Sequence, residues 1–314
     1  MATSAACPAC RCSAVEPWLS VRRADGRATA PFYRLDRCRS CGTAVTVGRS
    51  RGDATHLYRG GAYASPPAAV DLLLEPLRRL GQVAVLRALG PVAPGARVIE
   101  VGSGDGWLIR LLAEEDCSVV GIEPYAAQGD TGLEVLATPV EALGAPGEGA
   151  DLVVLWHVLE HLDDPELGLR SALETLGSHG RIVVSVPNLD SLQARIGGRR
   201  WFHLDVPRHA IHFSRRGLVS LIERCGLSVT RVGNVVVDQN LLGATQTLLN
   251  RLTHEQNVAF RTLKRDVAGI PPRDILVSAA AIVPAAVAGS LLETAAMITG
   301  RGGSLVVHAK RAAA

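Results

Sequence analysis

The tightest constraint on this chain is the run Arg97-Val98-Ile99-Glu100-Val101-Gly102-Ser103-Gly104-Asp105-Gly106. A short apolar strand feeds directly into a glycine-rich turn, and Trp107 to Glu115 then takes up helical spacing. Glycines let the backbone approach a ligand closely, and a helix N-terminus offers unpaired N–H groups. Taken alone, such an opening suits several ligands. A dinucleotide fingerprint would need glycine one position after Gly106, where Trp107 stands. Glu100, at the end of the strand, suits a cationic ligand group better than a pyrophosphate.

The pattern repeats downstream. Ser118 to Ile122 reads as a strand ending at Glu123, where a ribose diol could bridge to the carboxylate. Asp151 to Trp156 and Gly180 to Val186 are further buried strands, the first running into His157 and the second into Pro187-Asn188. Strands alternating with helices predict an α/β fold with a doubly wound, mostly parallel sheet whose ligands sit at the strands' carboxyl ends. At 314 residues with 47% hydrophobic content, the chain can bury such a core and have room for one small extra module.

That module lies at the N-terminus. Cys7-Pro-Ala-Cys10 and Cys38-Arg-Ser-Cys41 are two C-x-x-C pairs that can present four thiolates to one zinc. Gly42 suits a knuckle that folds back toward sulfur. Cys12 is an alternative ligand to Cys10, and Cys117 and Cys225 sit in apolar segments and read as core residues. The start of the chain lacks the pattern of a secretory signal, so a cytoplasmic setting is expected, in which paired cysteines bind metal rather than form disulfides. Residues 1 to 62 hold ten arginines against Glu16, Asp25, Asp36 and Asp53, whereas the rest of the chain is slightly acidic. The net charge of +3 therefore excludes a polycationic tail and leaves only a mildly basic module. We expect this module at 1–62, a linker about Leu57 to Pro67, and the larger domain at 63–314.

The glycine run, Gly121-Ile122-Glu123 and His157-Val158-Leu159-Glu160-His161-Leu162-Asp163-Asp164-Pro165 together resemble the class I S-adenosylmethionine-dependent methyltransferases, in particular the ubiquinone-biosynthesis-like subgroup. The segment Trp201-Phe202-His203-Leu204-Asp205-Val206-Pro207-Arg208-His209-Ala210-Ile211-His212-Phe213-Ser214 is similar to that of members carrying an amino-terminal zinc ribbon. The resemblance implies a seven-stranded sheet with S-adenosylmethionine as cofactor. Gly102, Gly104 and Gly106 would follow its methionine and ribose portions, Glu100 would face the ammonium, Glu123 would hold the ribose hydroxyls, and Trp156 would lie beside it. Adenine recognition has only Glu141 to offer. His157 is the first candidate for the base that deprotonates an acceptor, with His203 and His209 next to it in the acceptor-covering segment. Cys7, Cys10, Cys38 and Cys41 would hold Zn2+. His203, His209 and His212, with Asp205, also admit a metal-site reading, which is disfavoured.

Between a sixth strand, Leu227 to Val232, and a closing antiparallel strand, Ser304 to Ala309, stands a helical insertion at about 235–303. Ile275 to Leu292 carries no charge over 18 residues. A single membrane span is awkward because the chain must return to the same sheet. We therefore expect an apolar helical hairpin at 275–299 that is buried, self-associates or touches a membrane surface peripherally, with burial or self-association favoured. The leading functional expectation is a methyltransferase for a small-molecule acceptor of natural-product, sugar or polyprenyl type. The alternatives are an RNA methyltransferase gripping through the ribbon, disfavoured because no Asn-Pro-Pro-aromatic run follows the fourth strand, and a non-catalytic zinc-ribbon binding protein.

Overall fold

A computed structural model describes residues 6–23, 31–49, 68–125, 133–140, 149–235 and 238–312. Glu141, the expected linker from Leu57 to Pro67 and the expected boundary at residue 62 lie outside the described residues. Three N-terminal strands come first: β1 (Val15–Arg22), β2 (Phe32–Cys38) and β3 (Ala44–Val47). Then follow α1 (Ala68–Leu89), β4 (Arg97–Val101), α2 (Trp107–Glu114), β5 (Ser118–Ile122), β6 (Glu134–Leu136) and β7 (Ala150–Trp156). The chain continues through α3 (Pro165–Glu174), β8 (Leu176–Pro187), α4 (Leu192–Gly197), β9 (Ile211–His212), α5 (Arg215–Arg224) and β10 (Leu227–Val235). It ends with α6 (Asp238–Leu249), α7 (Val258–Leu263), α8 (Pro272–Ile298) and β11 (Ser304–Arg311).

The large sheet has seven strands in the order β10-β11-β8-β7-β4-β5-β6. Strands β8, β7, β4, β5 and β6 pair in parallel, whereas β11 lies antiparallel to both β8 and β10. This is the expected doubly wound, mostly parallel sheet with its antiparallel closing strand. Its centre is buried on both faces, so β7 reads as an unbroken apolar run, with Leu152, Val153, Val154 and Leu155 at most 1% exposed. Local signals set the flanking helices. The Asp164 carboxylate accepts the Leu167 N–H at 3.0 Å ahead of α3, with Pro165 at the first helical position. Ser214 caps α5 in the same way through the Gly217 N–H.

The sequence did not reveal how the N-terminal module attaches. Its sheet has four strands in the order β1-β2-β3-β9, so a segment far along the chain donates the last one. Ala44 pairs with His212 and Val45 with Ile211. Cys7, Ala9, Cys38 and Cys41 then share one apolar cluster with Phe213, Leu218, Leu221 and Ile222 of the larger domain. An ion-pair clamp reinforces this seam: Glu166 accepts from Arg11 at 2.8 Å and also from Arg224, and these guanidiniums, Arg11 foremost, hold its carboxyl well down, at about 2.

The insertion departs from expectation. Residues 275–299 do not form a hairpin. Nearly all of them belong to one continuous 27-residue helix, α8, which runs through Pro284. Pro284 is exposed, so its ring meets no packed neighbour there. The favoured burial holds for one stripe of this helix only, because most of its apolar residues face outward.

Candidate active site

The glycine loop 102–106 joins β4 to α2. Gly102, Gly104 and Gly106 have φ of 74°, 55° and 76°, a left-handed backbone that favours glycine at each position. The N–H groups of Gly102 and Ser103 donate to the Ile122 carbonyl at 2.7 and 3.1 Å, which pins the loop to the end of β5. Gly102 is also needed for room, since a Cβ there would stand 2.5 Å from Val158 Cγ2. That close approach brings the turn after β7, and with it His157, against the glycine loop.

Two carboxylates flank the loop. Glu123 accepts the Gly104 N–H at 3.0 Å and the Tyr125 N–H at 3.1 Å. Ribose hydroxyls can take over such hydrogen bonds. Glu100 is buried, and one of its oxygens has no hydrogen-bond partner among the described residues. Burial, reinforced by Asp105, pushes its carboxyl up to about 8. A cation bound nearby would relieve that cost. The Trp156 indole is buried in a cluster with Leu108, Leu112, Val154 and Val306, and its edge-on contact with the His157 ring points toward the site.

His157 stands at the end of β7 with φ 57°, unusual for a residue with a side chain. Its backbone N–H donates to the Ser185 carbonyl at 2.9 Å. Its Nδ1 lies 3.1 Å from Glu160 Oε1, while Nε2 has no partner among the described residues. A carboxylate at Nδ1 selects the tautomer with the proton on that nitrogen and leaves Nε2 free to accept one. The sequence reading missed Glu160. Its signal was the His-x-x-Glu spacing, which the tight turn at 159–161 converts into a contact.

The other candidate histidines are packed. His203 touches the Trp201 and Phe202 rings and lies close enough to His157 for their charges to interact. Burial pushes it down to about 3. Helix α6 covers it, because a Cβ on Gly243 would fall 2.2 Å from His203 Nε2. His209 Nδ1 is 2.8 Å from the His203 carbonyl, the ring stacks edge-on to His161 at 4.7 Å, and burial holds its pKa well below the usual value. Both rings are buried beside the site, and His203 Nε2, like that of His157, has no hydrogen-bond partner among the described residues. His203, His209 and His212 do not converge as a metal set among the described residues. Glu160, His161 and His209 do bring ligand atoms within 4.8 Å of one another. Phe260 from α7 packs on Phe202 with ring centres 5.3 Å apart, and Lys264 lies over Phe260 while feeling the charge of Asp105. The insertion thus packs on the segment that holds His203 and lies close enough to the glycine loop for the charges of Lys264 and Asp105 to interact, which periodicity could not show.

The four expected cysteines converge. Cys7 and Cys41 sulfurs are 3.6 Å apart, as are those of Cys10 and Cys38, and all four lie within 4.8 Å of one another. Sulfurs at about 2.3 Å from one tetrahedral ion would be separated by about 3.8 Å, so the donor set fits zinc. The hydrogen bond that Cys7 and Cys41 share pushes the Cys41 thiol down and raises Cys7 in turn. Gly42 has φ 85°, and Arg11 takes the matching left-handed position after the first pair at 61°. Cys12 stays outside the set and accepts the Ala14 N–H.

Comparison with known proteins agrees with this geometry. The family described as "Methyltransferase domain" matches residues 75–232. A "Ubiquinone biosynthesis O-methyltransferase" of Cereibacter sphaeroides is 29% identical over 158 residues, which cover 45% of this chain and 64% of that protein. A protein of the same description from Azorhizobium caulinodans is 30% identical over 112 residues, covering 32% and 44%. The chain therefore spans less than two thirds of the length of these relatives. Among solved structures, the [4+2]-cyclase SpnF is similar at 16% identity and a TM-score of 0.49, covering 76% of this chain and 81% of that one. By the family match, the sheet order and the glycine loop, the chain belongs to the methyltransferase-domain family of S-adenosylmethionine-dependent proteins.

Proposed function

We propose that this protein methylates a small-molecule acceptor, with His157 as the base and the four cysteines holding a zinc that braces the acceptor-covering segment. The observation that carries the reading is the His157–Glu160 pair, whose unpartnered Nε2 stands beside the glycine loop at the carboxyl edge of the sheet. The buried, unpartnered oxygen of Glu100 and the carboxylate of Glu123 fit the two polar ends of S-adenosylmethionine. When bound, that cofactor supplies a methyl group on a sulfonium, already a good leaving group. The chain's own work is then to align the acceptor, exclude water with Phe202, Phe260 and α6, and accept the acceptor's proton at His157 Nε2. Ubiquinone biosynthesis O-methyltransferases are named for an oxygen acceptor, which supports a hydroxyl here.

The ribbon's arginines favour a small molecule over RNA. Arg34 pairs with Asp36 at 2.8 Å, Arg49 with Asp163 at 2.7 Å, and Arg11, Arg22 and Arg39 with Glu166, Glu255 and Glu16. Cations already paired with carboxylates of the chain release fewer counterions from a phosphate backbone. We keep the division into modules 1–62 and 63–314, and a cytoplasmic setting, as parts of this proposal. Incubating the protein and methyl-labelled S-adenosylmethionine with fractionated cell extract tests it. Label in the small-molecule fraction supports the reading, label in RNA replaces it with the second enzymatic reading, and no cofactor binding at all would favour the non-catalytic one.

A further inference from the structure

Helix α8 is built inside out. Its buried stripe is Asp274, Ser278, Ala285, Gly289, Glu293 and Ala296, whereas Leu276, Val283, Val287, Leu291 and Ile298 stand exposed, between 58% and 84%. A helix at the surface of a water-soluble domain normally shows the opposite arrangement. The inner carboxylates are engaged: Glu293 accepts the Gln193 amide at 2.7 Å and the Gly303 N–H at 3.0 Å, and Asp274 accepts the Glu255 N–H at 2.7 Å. The outer hydroxyls are turned back on their own helix, Ser290 donating to the Ala286 carbonyl and Thr294 to the Ser290 carbonyl, both at 2.8 Å. Hydroxyls satisfied in this way leave the outer face with no donor that needs water.

We infer that the outward face of α8 lies flat in the surface of an anionic lipid bilayer. By length and composition the helix could cross a membrane, and at about 1.5 Å per residue it is about 40 Å long. Crossing would tear it from the domain, because Gly289 sits 3.0 Å, measured from an added Cβ, from the Thr245 backbone, and Ser304, six residues beyond its end, already pairs with Pro187 in the central sheet. An in-plane position needs no such disruption. Charge decides between lipid and a second copy of the chain. Arg251, Arg265, Arg273 and Arg301 of the insertion are exposed, while the carboxylates of Glu255, Asp274 and Glu293 are buried and the half-exposed Asp266 is paired with Arg261 at 3.3 Å. Two copies packed face to face would set Arg273 against Arg301 or against itself, with no exposed carboxylate on the helix to pair with either. Lipid phosphates complement the same cations at both ends of the aliphatic stripe.

Flotation of the full chain with vesicles tests this without any methyl acceptor. The protein should float with phosphatidylcholine vesicles containing phosphatidylglycerol about tenfold better than with phosphatidylcholine alone. The Val283→Asp, Leu291→Asp double variant should lose that uptake about tenfold while keeping its circular dichroism spectrum and thermal midpoint, since both positions are exposed. Arg273→Gln with Arg301→Gln should abolish the preference for anionic vesicles. Absence of flotation with anionic vesicles overturns the inference, as does uptake equal for neutral vesicles or undiminished in the aspartate variant. A dimer in sedimentation that the aspartate variant dissociates, without vesicle uptake, would assign the face to a second copy instead.

Discussion

His157 Nδ1 lies 3.1 Å from Glu160 Oε1, a contact made by two residues of one tight turn at the carboxyl end of β7. Glu160 is itself buried, and its backbone carbonyl accepts the Ala210 N–H at 2.7 Å, so the carboxylate beside the imidazole is anchored to the segment that carries His203 and His209. If Nε2 is the base, His157→Ala should lower turnover by about 10²–10⁴-fold with cofactor affinity unchanged. Glu160→Gln should cost less, because the amide can still contact Nδ1, and should shift the pH profile of kcat. Steady-state kinetics on the acceptor found by labelling checks both; a wild-type rate in the alanine variant removes the base assignment.

Glu123 accepts two backbone N–H groups, those of Gly104 and Tyr125. Glu123→Ala should weaken S-adenosylmethionine binding by about tenfold or more, as expected for loss of charge-assisted hydrogen bonds. Isothermal calorimetry measures it, and an unchanged dissociation constant would take Glu123 out of the site.

Glu100 is poised differently, since burial keeps its carboxyl protonated to about pH 8. Glu100→Gln copies the protonated form, so thermal stability at neutral pH should hold or rise, whereas cofactor affinity should fall. A variant that binds as tightly as the parent would show that the ionised carboxylate is not used.

The buried histidines set the acid limit of the fold. His203 and His212 are pushed down to about 3 and about 4 by burial. A histidine whose folded pKa lies below its unfolded value favours the neutral native form, so its contribution is complete above about pH 6.5 and is lost as pH falls toward the folded value. Each such group is worth on the order of a few kcal/mol over that window. Glu166, held at about 2, adds a loss that begins as pH falls into the ordinary carboxylate range and continues toward its folded value. Urea melts should therefore show stability falling steadily from about pH 6.5 to about pH 4, and a flat profile there would contradict the burial of these rings.

Metal analysis should return about one zinc per chain, bound more weakly as pH falls because the ligands must be thiolates. Chelation or Cys38→Ser should loosen the β3–β9 pairing as well as the ribbon, since Thr46 donates to the His209 carbonyl at 2.7 Å and Ser214 to the Cys41 carbonyl at 2.6 Å. Hydrogen exchange at Ile211 and His212 reports it; unaltered protection would confine the zinc's role to the N-terminal strands.

The local order of residues determined the sheet. Period and glycine placement are short-range, so β4, the loop 102–106, α2 and β7 could be read along the chain, and the cysteine pairs could be read as a convergent set because a knuckle is a four-residue event. The partnerships were decided only in three dimensions. Which strand edge the ribbon would use, that Trp156 points into the core and His209 stacks on His161, and that Gly243 and Phe260 close over His203 and Phe202 all depend on contacts between segments far apart in sequence. Helix α8 shows the division most plainly. Its 18 uncharged residues declared an apolar helix, but a mean hydropathy carries no direction, and only the packing of Asp274, Gly289 and Glu293 against the domain turned its aliphatic side outward.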